Sequence, residues 1–172
     1  MSSHYAAIIP LIAFLSYVAL IFLTAKQDSN KQANRLFIWY LFLLMMWSFG
    51  SFMAYANFPL MSTYFWNTFL IVSAFFASVA LFHFVRVFLN KPVPWLWISL
   101  GYGIFIIATI AATMGYVVKD AYHSGGQYHL ELGIASYIMW PVAFMFAGAT
   151  IFNLVKGYRS EKDLFEIGRA HV

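Results

Sequence analysis

Residues 66–88, WNTFLIVSAFFASVALFHFVRVF, decide the fold. The stretch is apolar from end to end until His83 and Arg86. At about 1.5 Å per residue it is long enough to cross a ~30 Å hydrocarbon layer as a tilted helix. Ser73, Ala77 and Ala80 place small side chains along its middle, so neighbouring helices can come close to one face. Its inner end passes from lipid into a basic loop. The expectation is a central helix in a membrane-embedded bundle.

Four further apolar stretches flank it. The spans are expected at about residues 5–25, 36–56, 64–88, 95–118 and 133–155. Hydrophobic residues make up 63% of the chain and charged residues 9%, whereas soluble domains carry roughly a quarter charged. The predicted class is all-α, a polytopic transmembrane helix bundle with five spans. The start of the chain lacks a basic n-region and its apolar run is too long for a signal peptide, so it reads as a retained first span. The absence of cysteine excludes disulfides, thiolate metal sites and cysteine nucleophiles.

The net charge of +4 belongs to orientation rather than to nucleic-acid binding. Lys26, Lys31, Arg35, Arg86, Lys91, Lys156, Arg159 and Lys162 fall on one side, and Lys119, beside Asp120, on the other. The positive-inside rule therefore puts the N-terminus outside and the end of span five in the cytoplasm. Trp66, Trp95 and Trp97 are expected as interfacial anchors. Ala74 with Ser78, Ala108 with Ala112, Ala111 with Gly115 and Ala143 with Ala147 are the small pairs expected at helix contacts.

Few residues can carry chemistry. His83 is the one histidine within a span; such groups usually face the bundle interior, either as functional groups or hydrogen-bonded to a neighbouring helix. A bis-histidine haem would need a second histidine at similar depth, which no other span has, and no cofactor is expected. The outer segment KDAYHSGGQYHLEL holds His123, His129 and Glu131. The last two are two apart, which suits an extended segment. Their spacing matches no strong metal pattern, so a proton- or signal-sensing surface and a solvated loop turning at Gly125-Gly126 are the readings, and no metal is expected. Pro141, after Trp140, should kink span five near Tyr137, as a hinge or as static packing. Trp39, Trp47, Phe75 and Phe76 at or near mid-span could line a pocket for an apolar ligand or serve as bulk. No span contains Asp or Glu, which argues against a proton-coupled transporter or an intramembrane protease.

Asn34-Arg35-Leu36-Phe37 opens span two, with Trp47 and Phe49 or Phe52 in its middle. Span three starts at Trp66 and ends in His83-Phe84 and Phe88, and Pro92 and Pro94 follow. In these positions the chain, over about residues 8–163, resembles the N-terminal seven-helix sensory region of bacterial histidine kinases. The resemblance implies seven spans with an external N-terminus. A cytoplasmic output module would follow, usually a kinase and sometimes a diguanylate cyclase, often behind a PAS domain. It carries over no ligand or catalytic residue, and this chain departs from it in having five spans. The expected function is a sensory input domain in a bacterial plasma membrane, not itself an enzyme. Its expected partners are the lipid bilayer, a kinase or cyclase module in the same full-length chain, a second copy in a homodimer, and a small or lipophilic ligand. Nucleic acid is not among them. The alternative is a small membrane transporter or transporter accessory subunit, for which inverted repeats or broken helices with polar residues at mid-depth would speak.

Residues 166–172 have a separate explanation. Ile167-Gly168-Arg169-Ala170-His171-Val172 is what ATC GGA AGA GCA CAC GTC encodes, and that string begins a widely used sequencing-library adapter. The expectation is that this segment is not native and that the gene continues after about Phe165 into two further spans.

Overall fold

The structure is a computed structural model that describes residues 3–27, 31–56, 61–124 and 127–170. Five helices run α1 (Ser3–Lys26), α2 (Gln32–Ala56), α3 (Thr63–Phe88), α4 (Trp95–Thr113) and α5 (Ile134–Ala170), with a hairpin of β1 (Val118–Ser124) and β2 (Gln127–Leu132) between the last two. All five are long and apolar enough to span a bilayer. The protein is therefore a polytopic membrane protein, and the alternation of its helices gathers the basic ends on one side. The adapter-like segment lies at the end of α5 and, from residue 171, outside the described residues.

Helix α3 is central. It packs against α2, α4, α5 and β1. Its face bearing Ile71, Phe75, Val79 and Phe82 meets Ile98, Phe105 and Ala108 of α4 and Met139, Ala143 and Phe146 of α5 in one core. These positions recur at helical spacing, so a single stripe serves both neighbours. A second face buries Ala77 and Ala80 against Leu43 of α2. Phe75 stacks on Phe105 with ring centroids 5.7 Å apart. At Gly101 α4 comes close to α5: an added Cβ would lie 2.6 Å from Phe146 Cζ and 3.1 Å from a Val79 methyl. This glycine–phenylalanine fit adds to the expected small residues, of which Ala108, Ala112 and Ala143 are buried in the same core.

Local chemistry sets the helix ends. Ser62 caps α3, its hydroxyl oxygen accepting the Phe65 N–H at 3.2 Å. At the other end Asn90 adopts φ 51°. Its N–H donates to the Val87 carbonyl at 3.0 Å, and the Lys91 N–H donates to that of Arg86 at 2.9 Å. This is a Schellman ending, so α3 stops before Pro92 and Pro94 are reached. Helix α4 ends the same way. Gly115 has φ 81°, its N–H bonded to Ala112 O and that of Tyr116 to Ala111 O, both at 3.1 Å. Span four is accordingly shorter than expected, ending at Thr113 rather than 118, because the apolar run from Met114 to Val118 turns back instead of continuing.

The outer segment is a hairpin, not a loop, and this small sheet is an addition to an otherwise all-helical architecture. Val118 pairs with Leu132, Tyr122 with His129, and Ser124 with Gln127, antiparallel, with an irregularity between Val118 and Asp120. Val117, Val118 and Ala121 are buried in the main core, which plugs the base of the hairpin into the outer end of the bundle.

Candidate functional site

Two regions have geometry suited to function, one at each end of the bundle. The inner one starts from α3, whose last two turns carry His83 and Arg86 one turn apart. Arg86 reaches across to α5, Nη1 donating to Asn153 Oδ1 at 3.1 Å, while Nε donates to the Pro92 carbonyl at 3.0 Å and Nη2 donates to the same oxygen. Lys91 Nζ donates to the Asn153 carbonyl at 3.2 Å. Asn153 is buried and its own amide donates to Ala149 O at 2.7 Å. Two cations thus converge on one asparagine and tie α3, the α3–α4 turn and α5 together. The planar, multi-donor guanidinium is the group that can hold a side-chain oxygen and a backbone carbonyl at once. Asn153 was not foreseen as a site residue. The available signal was an amide side chain within a span, a depth at which a polar group needs partners.

His83 is buried at 7% exposure. Its ring sits edge-on to Trp95, centroids 5.5 Å apart, and 6.4 Å from Tyr102, both on α4. Neither ring nitrogen has a hydrogen-bond partner. An imidazole walled by aromatic rings is the most polar unsatisfied group at this depth, and burying it unpaired is costly.

The other expected site residues do not converge. Trp47 and Trp140 are partly exposed on the outer surface of the bundle, Trp140 edge-on to Phe75 and stacked on Phe144. Pro141 lies on the exposed side of α5, which runs through it as one helix. Trp66 is not an interfacial anchor. It is buried between α2 and α3, edge-on to Phe49 at 5.6 Å, because Phe49, Phe69 and Met53 offer it apolar cover, whereas Trp95 and Trp97 are exposed.

The outer region is the hairpin and the groove beside it. His123 lies on β1 opposite Tyr128. His129 stacks on its cross-strand partner Tyr122, centroids 5.1 Å apart. Glu131 accepts from Lys119 at 2.6 Å, both side chains largely exposed. That hydrogen bond, with the charge behind it, raises the Lys119 pKa above 10.5. A raised folded pKa makes the pair's contribution complete below the unfolded value and lost as pH rises through the folded one. The difference in hairpin protection between wild type and Lys119→Met should therefore be constant well below the ordinary lysine pKa and be lost only as pH rises through the raised folded value, as read by amide hydrogen exchange. Among the described residues no three metal-ligating side chains come together.

Between the outer halves of α3 and α4 lies a cavity of about 770 Å³, walled by residues that include Tyr64, Thr68, Phe76, Ile106 and Thr109. Of the mid-span aromatics, Phe76 lines it, Phe75 is core, and Trp39 lines a smaller recess of about 310 Å³ beside α1.

Comparison with family models, with curated proteins and with solved structures yields no match.

Proposed function

We propose that this chain is the membrane-embedded sensory input domain of a bacterial signal-transduction protein, a sensor histidine kinase or a diguanylate cyclase. It would relay a signal from its outer face or the lipid to a cytoplasmic output module. The observation that carries the reading is α5. It begins where the outer hairpin ends, passes through the core, and continues as one helix past the basic turn at Lys156 and Arg159. A rigid element touching the outer surface and emerging on the inner one can transmit a displacement. The Arg86–Asn153–Lys91 cluster grips it at the inner end, where two packings of similar energy could be exchanged. Each described helix is continuous, which supports a sensor over the transporter alternative, whose binding sites are usually built at broken helices.

The test uses the full-length protein in membrane vesicles. Autophosphorylation or cyclic-dinucleotide synthesis is measured for wild type and for Asn153→Ala. A basal output changed at least about threefold is expected, since roughly 0.7 kcal/mol of bias suffices for that. Unchanged output in a folded variant, or a chromosomal gene with no effector-coding region in the same reading frame, sinks the reading.

A further inference from the structure

We infer that the Arg86–Lys91 cluster at the inner end of the bundle holds the phosphate of an anionic phospholipid from the cytoplasmic leaflet. The lipid binds there whether or not the domain is a sensor. The starting point is an imbalance of charge. Arg86 donates to Asn153 Oδ1 and to the Pro92 carbonyl, and Lys91 donates to the Asn153 carbonyl. All three acceptors are neutral. Two like charges are thus drawn onto one asparagine, and among the described residues neither has an ion pair. The acidic side chains described, Asp120 and Glu131, belong to the hairpin at the opposite end. Along α5 the next acidic residue, Glu161, comes eight positions after Asn153, about 12 Å at helical rise. Lys156, exposed and one turn past Asn153, adds a third positive charge. Like charges gathered in a partly desolvated place call for an anion.

The cluster can receive one. Arg86 and Lys91 are half-buried rather than enclosed. Of the guanidinium's five N–H donors three are engaged, and of the ammonium's three one, so each keeps two. A phosphodiester has two charged, non-bridging oxygens and can accept from both groups at once. Depth selects the source of that phosphate. Helix α3 has 26 residues, about 39 Å at helical rise, against a hydrocarbon layer of ~30 Å. Its last turn, with Arg86, therefore stands at the level of the headgroups. Trp95 and Trp97, exposed at the start of α4, mark the same level as an aromatic belt does. A zwitterionic headgroup would bring its own cation and restore the imbalance, so the lipid carries a net negative charge. Its phosphate spans α3, the α3–α4 turn and α5, and tightens the grip on α5.

The test uses the full-length protein in nanodiscs of phosphatidylcholine with phosphatidylglycerol added stepwise. Lipid retained on the protein is counted by native mass spectrometry. Phosphatidylglycerol should be retained over phosphatidylcholine about tenfold, and Lys91→Gln should lower that preference about fivefold. Lys119→Gln, the same charge change at the outer end, should leave it unaltered. Asn153→Asp sets a carboxylate between the two cations and should lower the preference as far as Lys91→Gln does. Should that variant not fold, Lys91→Gln against Lys119→Gln decides. Equal retention of the two lipids overturns the inference. An equal fall in Lys91→Gln and Lys119→Gln also does so, since attraction to charge in general then accounts for the preference. A preference untouched by Asn153→Asp in a folded protein overturns it as well. Displacement of phosphatidylglycerol by inorganic phosphate would make the occupant a soluble anion and overturn the lipid assignment.

Discussion

Gly133→Ala is expected to pull the outer hairpin off the bundle at a cost of roughly 3 kcal/mol or more, the range of severe backbone and packing conflicts. An added Cβ would overlap the Tyr116 carbonyl carbon and oxygen, and would lie 2.9 Å from Gly115 O. Those atoms are main chain and have no rotamer to escape into. They are also tied: Tyr116 O accepts the Ala135 N–H and Val117 O the Gly133 N–H, both at 2.9 Å, and the Tyr116 N–H closes the end of α4. Relief requires breaking the junction where α4, the hairpin and α5 meet. Val117 and Val118, fully buried in the core, would be drawn out with it. Amide exchange over residues 118–132 should accelerate about a hundredfold, the equivalent of ~2.7 kcal/mol. Helix content should hardly change. Wild-type protection in the variant would show the junction to be softer than its geometry.

Arg86→Ala is expected to release the inner end of α5, costing about 2–3 kcal/mol, since hydrogen bonds to a charged group are worth more than neutral ones. The substitution leaves the buried Asn153 Oδ1 without its cation and frees the Pro92 carbonyl. Arg86→Lys should recover only part of the loss, because one ammonium does not reproduce the two-direction fork. The separation can be read directly. A Cβ on Gly157 of α5 would lie 3.1 Å from Leu89 Cδ2, and the chain has no cysteine of its own. A Leu89→Cys, Gly157→Cys pair should form a disulfide readily in the parent and at less than about a third of that yield with Arg86→Ala, given geometric limits of a few ångströms. Equal yields would mean that apolar packing alone holds α5 in place.

The spans were legible because hydrocarbon thickness leaves little freedom in length, and the start of α4 and both ends of α3 fall within one residue of expectation. The hairpin was half legible. His129 and Glu131, two apart, already suggested an extended segment, but the partner strand contains Lys119, Asp120 and Ala121, residues with no strand preference. Its pairing is fixed by tertiary plugging of Val117 and Val118 into the core, which no local pattern announces. Val118 read as helix because its apolar run is continuous with span four, and only the left-handed turn at Gly115 separates them. At the inner end Arg86 and Lys91 were read as orientation charges. Their second job, holding Asn153, depends on a contact across more than sixty positions of sequence.

Helix α1 is the most apolar of the five, yet apart from its packing on α2 it buries little; among the described apolar side chains of α1, Ala7 alone is buried. Helix α3, by contrast, has about half of its span enclosed by other helices. In a growing chain this difference becomes an order of events. The first helix partitions into lipid on its own hydrophobicity and is content there alone. The third, with Asn67, Ser73 and His83 on its buried side, reaches its final environment only when the later helices close around it. Until α4 and α5 have left the ribosome, α3 is the member of the set that depends on company, and biogenesis of the bundle is gated at its centre rather than at its first entry into the membrane.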